Sequence, residues 1–94
     1  MNAYNIKTLP QWRFVDVPAP ADSVKWSGIG DPPKIGNRVR VKINDFGEGT
    51  VISYFIEHGY LGIEVKPDHR PKWHIEQNPN RDTCLVFGAE IERL

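Results

Sequence analysis

The chain has 94 residues, enough for one domain with one modest core and too few for a large enzymatic cleft. Twelve Lys and Arg balance twelve Asp and Glu, which argues against a protein that grips nucleic acid by bulk charge and against an acidic mimic of DNA. Eight Gly and eight Pro exclude a helical bundle and suit short strands joined by turns.

Residues 1–34 are punctuated by Val17-Pro18-Ala19-Pro20-Ala21 and Gly28-Ile29-Gly30-Asp31-Pro32-Pro33, too often for long helices or strands. They also carry Tyr4, Leu9, Trp12, Phe14, Val24, Trp26 and Ile29, and a disordered tail is poor in such residues. The expectation is an extended N-terminal arm packed on the following domain, with a short strand near Trp12–Val17 and a helical turn around Asp22–Trp26 capped by Asp22 or Ser23. Trp12 and Trp26 are expected to plug the surface of their own chain.

Residues 35–94 form the second unit. Asn37–Ile43 alternates strictly, with Val39, Val41 and Ile43 on one face and Arg38, Arg40 and Lys42 on the other, the pattern of a half-buried antiparallel strand. Phe46-Gly47-Glu48-Gly49 is expected to turn the chain on two glycines of positive φ. Thr50–Ile56, rich in β-branched and aromatic residues, is the second strand. His58-Gly59 sits where a tight hairpin turn belongs. Tyr60–Lys66 alternates again, with Leu61, Ile63 and Val65 inward and Glu64 and Lys66 outward. Pro67, Pro71 and Pro79 interrupt the pattern up to Asp82, and Lys72–Gln77 fits one helical turn or a short strand. Cys84–Phe87 reads as a strand, Gly88-Ala89-Glu90 as a single helical turn and Ile91–Leu94 as the closing strand. The fold class is mainly β: a five-stranded small barrel of the SH3 type preceded by an arm.

The segments Gly36-Asn37-Arg38-Val39-Arg40-Val41 and Phe46-Gly47-Glu48-Gly49-Thr50-Val51, followed by Ile63-Glu64-Val65, Lys72-Trp73 and Glu90–Leu94, resemble the SH3-like, Tudor-like barrels at the C-termini of bacterial superfamily-1 DNA helicases. They are similar also to the RNA-polymerase-interacting domains of the CarD and transcription-repair coupling type. The resemblance covers residues 35–94 and implies a binding module that contacts RNA polymerase or DNA-processing machinery. The texture also resembles small accessory proteins of tailed phages and prophages, which implies assembly with copies of itself.

Chemistry is sparse. Cys84 is the single cysteine, which excludes an internal disulfide framework and fits a reducing, cytoplasmic setting. It opens a half-buried strand with no base in evident reach, so no catalytic residue is expected. His69 and His74, with Asp68 and Cys84 nearby, do not make a recognisable zinc spacing, and no metal or cofactor is expected. Gly47-Glu48-Gly49 lacks the Lys-Ser/Thr of a phosphate loop. No apolar run approaches the roughly 18 residues of a membrane helix, and no charged-then-apolar leader opens the chain.

Two binding readings remain. In the first, a protein partner docks on aromatic anchors, for which Tyr54, Tyr60 and Trp73 are the candidates, with Phe55 and Pro71 beside them. In the second, Arg38, Arg40 and Lys42 contact the backbone of a nucleic acid. Residues 1–47 carry a net charge of +3 and residues 48–94 a net charge of −3, and the acidic second half would repel a polyanion. Phe46, Gly47 and Gly49 are assigned to the structural turn.

Overall fold

The alternation that marks the sequence from Arg38 onward becomes a run of antiparallel pairs. The computed structural model describes residues 2–5 and 23–94, so a strand near Trp12–Val17 lies outside the described residues. Strand β1 (Asn2–Asn5) pairs antiparallel with β2 (Ser23–Trp26), followed by β3 (Arg38–Val41), β4 (Gly47–Glu57) and β5 (Tyr60–Pro67). Helix α1 (Lys72–Gln77), β6 (Cys84–Phe87), a single 3-10 turn (Gly88–Glu90) and β7 (Ile91–Arg93) complete the chain. The sheet runs in the order β1-β2-β5-β4-β3-β7, with β6 paired to β5. Among the described residues this is an open path, since the strands at its two ends do not pair with each other.

Ser23–Trp26 is a strand, not the helical turn the capping pattern predicts. Val24 and Trp26 alternate into the core while Lys25 stays exposed, and the backbone of Lys25 reaches Gly59 O at 2.9 Å. A two-sided demand for strand pairing, from β1 and from β5, overrides a weak local cap. The end of the first 34 residues is thus part of the same buried cluster as Val39, Val51, Leu61, Ile63, Val65 and Val86. Each of these side chains is worth about 1.5–3 kcal/mol when fully removed from water.

The turn after β3 falls earlier than the glycines imply. Asn44 and Asp45 take φ of 55° and 63°, and Phe46 N–H closes the turn on Ile43 O. Asn and Asp tolerate the left-handed region better than other side chains, so Gly47 and Gly49 are free to belong to β4. Gly47 has φ of 68°, whereas Gly49 is not in the left-handed region. Gly49 is required by proximity instead, because a Cβ there would stand 2.6 Å from the Lys66 carbonyl oxygen and 2.7 Å from a Val65 methyl. At this point β4 leaves β3 and continues with β5, and the backbones cross too closely for any side chain.

The register of β4 against β5 shifts between Val51 and Ser53. The extra residue, Ile52, reverses the facing of the β4 residues after it. Val51 and Tyr54 lie in the same core cluster and Ile56 packs against it, while Ser53 and Phe55 turn to the opposite face. That opposite face is also covered. The Phe55 and Phe87 rings meet edge to face at 5.2 Å, and Glu64, expected to point outward, is only 8% exposed. Its carboxylate accepts hydrogen bonds from Ser53 Oγ at 2.5 Å and Thr83 Oγ1 at 2.7 Å, which offsets the cost of burying it.

The proline-rich stretch resolves into α1, whose last turn is held by Arg70: its Nε donates to His74 Nδ1 at 3.1 Å and its Nη2 to Asn78 O at 2.7 Å. The His58-Gly59 turn joins β4 and β5 with φ of 53° and 79°, both left-handed as a tight hairpin requires.

Gly49→Ala should destabilise the fold by about 2–3 kcal/mol because neither the Lys66 carbonyl nor the neighbouring backbone can retreat. Gly47→Ala has open space and only its positive φ to overcome, about 1 kcal/mol. Urea unfolding of the two variants checks this ranking; equal losses would mean that backbone conformation, not proximity, governs both sites.

Candidate functional site

Arg38 and Arg40 project from the outer face of β3, as the alternation requires, and both are exposed. They are not, however, free cations. Arg38 forks onto the Asp68 carboxylate with both terminal nitrogens, one at 2.8 Å, and also donates to Thr50 Oγ1 at 3.0 Å. Arg40 stands between Glu48 on β4 at 3.8 Å and Glu92 on β7 at 3.9 Å, its partners in register on either side. The fork holds the Asp68 carboxyl below its ordinary range, chiefly through the hydrogen bond from Arg38, and raises the guanidinium in return. Lys42 lies just past β3; its backbone N–H donates to Glu90 O at 2.8 Å, and its side chain makes no ion pair among the described residues.

The aromatic candidates separate. Tyr54 is 0% exposed, its hydroxyl donating to Pro33 O at 2.8 Å, and burial raises its pKa. The bulge at Ile52 takes it out of any contact surface and makes it the anchor of the Pro32-Pro33 connector. Tyr60 is half-buried, with the Lys25 ammonium 5.9 Å above its ring. Trp73 is 37% exposed and occupies an aromatic corner. Its indole N–H donates to Asn44 O at 3.1 Å, and its ring meets Phe46 at 5.6 Å and His74 at 5.5 Å, both edge to face. Phe46, buried beneath, is the prop of this corner. Ile75, on the same helix, is exposed as well.

Cys84 and His74 are both buried. Cys84 is buried, and desolvation pushes its thiol up to about 12, far from a thiolate nucleophile. His74 is buried, and desolvation first, then Arg70 and Arg81, lowers its pKa. Its Nδ1 accepts from Arg70, which fixes the neutral tautomer with the proton on Nε2. Among the described residues no three His, Cys, Asp or Glu side chains converge as metal ligands would.

One feature escapes sequence reasoning. A groove of about 760 Å³ lies between the connector after β2 and strand β7, lined by Trp26, Ile29, Lys42, Ile91, Glu92 and Arg93. Trp26, 1% exposed, is packed against two bare backbones. A Cβ on Gly28 or on Gly88 would sit 2.8 Å from its ring, and one on Gly88 only 2.3 Å from Gly28 N. Ala89 N–H donates to Ser27 Oγ at 3.0 Å across the same contact. Among the described residues the Trp26 indole N–H has no hydrogen-bond partner. Gly28 and Gly88, sixty residues apart and inconspicuous in the sequence, are the signal that joins the two walls.

Neither protein-family models, nor curated proteins, nor solved structures match this chain.

The unfolded chain protonates His74 near its ordinary value of 6.5, while the folded chain resists. Its contribution to stability is therefore complete above that pH and is lost as the pH falls below it. Thermal melting should show a lower Tm at about pH 5 than at about pH 7.5, and His74→Gln should flatten that slope. An unchanged slope in the variant would assign the acid sensitivity to other groups.

Proposed function

We propose that this chain is a non-enzymatic protein-recognition module, built as a small SH3-like, Tudor-like barrel and acting on a cytoplasmic protein complex. The observation that carries the reading is the self-neutralised face of β3. Arg38 and Arg40 are engaged by Asp68, Glu48 and Glu92, so a polyanion approaching them meets three carboxylates beside two guanidinium groups. Exposed apolar surface, by contrast, is left over at Trp73, whose ring is held by Phe46, His74 and the Asn44 carbonyl. A rigid, half-exposed indole is the kind of anchor that dominates protein interfaces.

The barrel reading draws support from β4, a single eleven-residue strand that pairs with β3 at one end and with β5 at the other. The resemblance of residues 35–94 to Tudor-like domains directs the first search to bacterial transcription and DNA-processing machinery, RNA polymerase above all.

Affinity capture from bacterial lysate, with and without nuclease, tests the module. A protein complex should be retained after nuclease, and Trp73→Ala should weaken its capture at least about tenfold, while Arg38→Glu with Arg40→Glu changes mainly the rate of association. A gel shift at low and moderate salt supplies the opposite result: submicromolar binding that falls steeply with salt would make the chain a nucleic-acid binder.

A further inference from the structure

We infer that the Arg70–His74 contact is a proton-operated latch on α1: a proton on His74 Nδ1 expels Arg70, loosens the helix and releases Trp73 from Asn44, so that recognition through Trp73 is lost on acidification. This adds regulation to the Trp73 reading and rests on it. Helix α1 cannot hold itself. It has six residues and no side-chain cap at Pro71, and a helix this short has no stability of its own in water. Its closure converges on two residues. His74 O accepts from Asn78 N–H at 2.8 Å, and one guanidinium, that of Arg70, donates to His74 Nδ1 at 3.1 Å and to Asn78 O at 2.7 Å. Trp73, next to His74, is fixed by its ring contacts with Phe46 and His74 and by its hydrogen bond to Asn44 O.

The latch follows from what each partner can donate. A guanidinium carries N–H donors and no acceptor, and it keeps its charge in a protein, so Arg70 can meet the imidazole only where the ring offers a lone pair. Protonation replaces that lone pair on Nδ1 by an N–H, and two donors of like charge then face each other. The imidazole also hydrogen-bonds the Thr83 backbone. That bond engages Nε2 and survives protonation, which confines the conflict to Nδ1 and Arg70. The charged groups around the ring sharpen it, since Arg70 before α1 and Arg81 after it are both cationic. Beside the ring, Phe46 and Leu85 carry no charge, and burial holds the Cys84 thiol on β6 neutral. Carboxylates on the adjoining segments are engaged elsewhere: Glu64 by Ser53 and Thr83, Asp68 by Arg38, and Asp82 by Lys66. Asp45 is exposed in the turn that carries Phe46, and on α1 itself Lys72 pairs with Glu76. A proton therefore binds the open arrangement more tightly than the closed one. For each pH unit between the two affinities the open-to-closed ratio rises about tenfold.

The test follows the intact chain by NMR, with the Trp73 indole proton assigned through Trp73→Phe and the core Trp26 indole as the reference. Between about pH 7.5 and about pH 5, the solvent-exchange protection of Trp73, corrected for the pH dependence of free indole, should fall at least about tenfold while that of Trp26 holds. His74→Asn puts an acceptor that cannot be protonated where Nδ1 lies, and it should abolish the fall. Arg70→Gln is the second check. Its amide falls where Nε lies and can donate to the neutral ring or accept from the charged one, so the fall should shrink there too. Unchanged Trp73 protection in the wild-type chain, or an equal fall in both variants, overturns the inference. So does loss of Trp26 protection at the same pH, which would mark unfolding of the whole chain. Capture from lysate separates the latch from the reading it rests on. At about pH 5 the wild-type chain should retain a nuclease-resistant complex at least about tenfold less well than His74→Asn, and at about pH 7.5 the two should match. Equal retention at about pH 5 overturns the gating, while dependence of capture on Trp73 keeps the module reading in place. Loss of all capture on nuclease treatment removes the module reading and the gating with it.

Discussion

The facing of every β4 side chain beyond Val51 depends on one inserted residue. Strand β4 must lie beside β3 for its first four residues and beside β5 for most of its length, and a regular strand cannot bend to satisfy both. Gly49 permits the close crossing, and the bulge at Ile52 changes the facing of the residues beyond it. Tyr54 and Ile56 consequently enter the core, while Ser53 and Phe55 form a second buried layer with Glu64 and Phe87. A bulge of this kind is a designed feature of a strongly bent sheet, since it sharpens twist where the strand passes from one partner to the next.

Much of the fold was legible because its strands obey period two. Arg38–Val41, the His58-Gly59 hairpin, the alternation of Leu61, Ile63 and Val65, and the order strand, helical turn, strand at Cys84–Arg93 can be read from residue type and spacing alone. What the pattern did not carry was anything decided by a distant neighbour. Ser23–Trp26 looks like a capped turn until β1 and β5 compete for its backbone. Asn44-Asp45 takes the turn from the glycines because two short polar side chains tolerate the same dihedrals. Tyr54 changes face through an insertion that leaves no mark in the composition of the strand.

The candidate sites divide along the same line. Arg38 and Arg40 were placed correctly on an exposed face, yet their meaning changed once Asp68, thirty positions from Arg38, was brought alongside by the β4–β5 pairing. Trp73 gained its character from the Asn44 carbonyl in the turn between β3 and β4, distant in sequence. The groove at Trp26 was invisible because it is made by the mutual approach of two glycine backbones, and glycine offers no side chain from which proximity can be inferred. Local chemistry predicted where charges point, and long-range pairing decided what they meet.

Glu64 has a consequence for how the chain chooses among alternative alignments. A sheet whose strands alternate apolar and polar residues accepts a two-residue slip almost as readily as the native pairing, since each side chain returns to its own face. Hydrophobic burial therefore discriminates poorly between such alignments. The carboxylate does not share that tolerance. It is held by a hydroxyl from β4 and another from the residue that leads into β6, and a slip of either neighbour would withdraw a hydroxyl donor from it. Misaligned sheets would thus carry a poorly solvated acid in their interior, so this one polar cluster acts as a registration pin, spending some stability to make a single alignment of three strands decisively preferred.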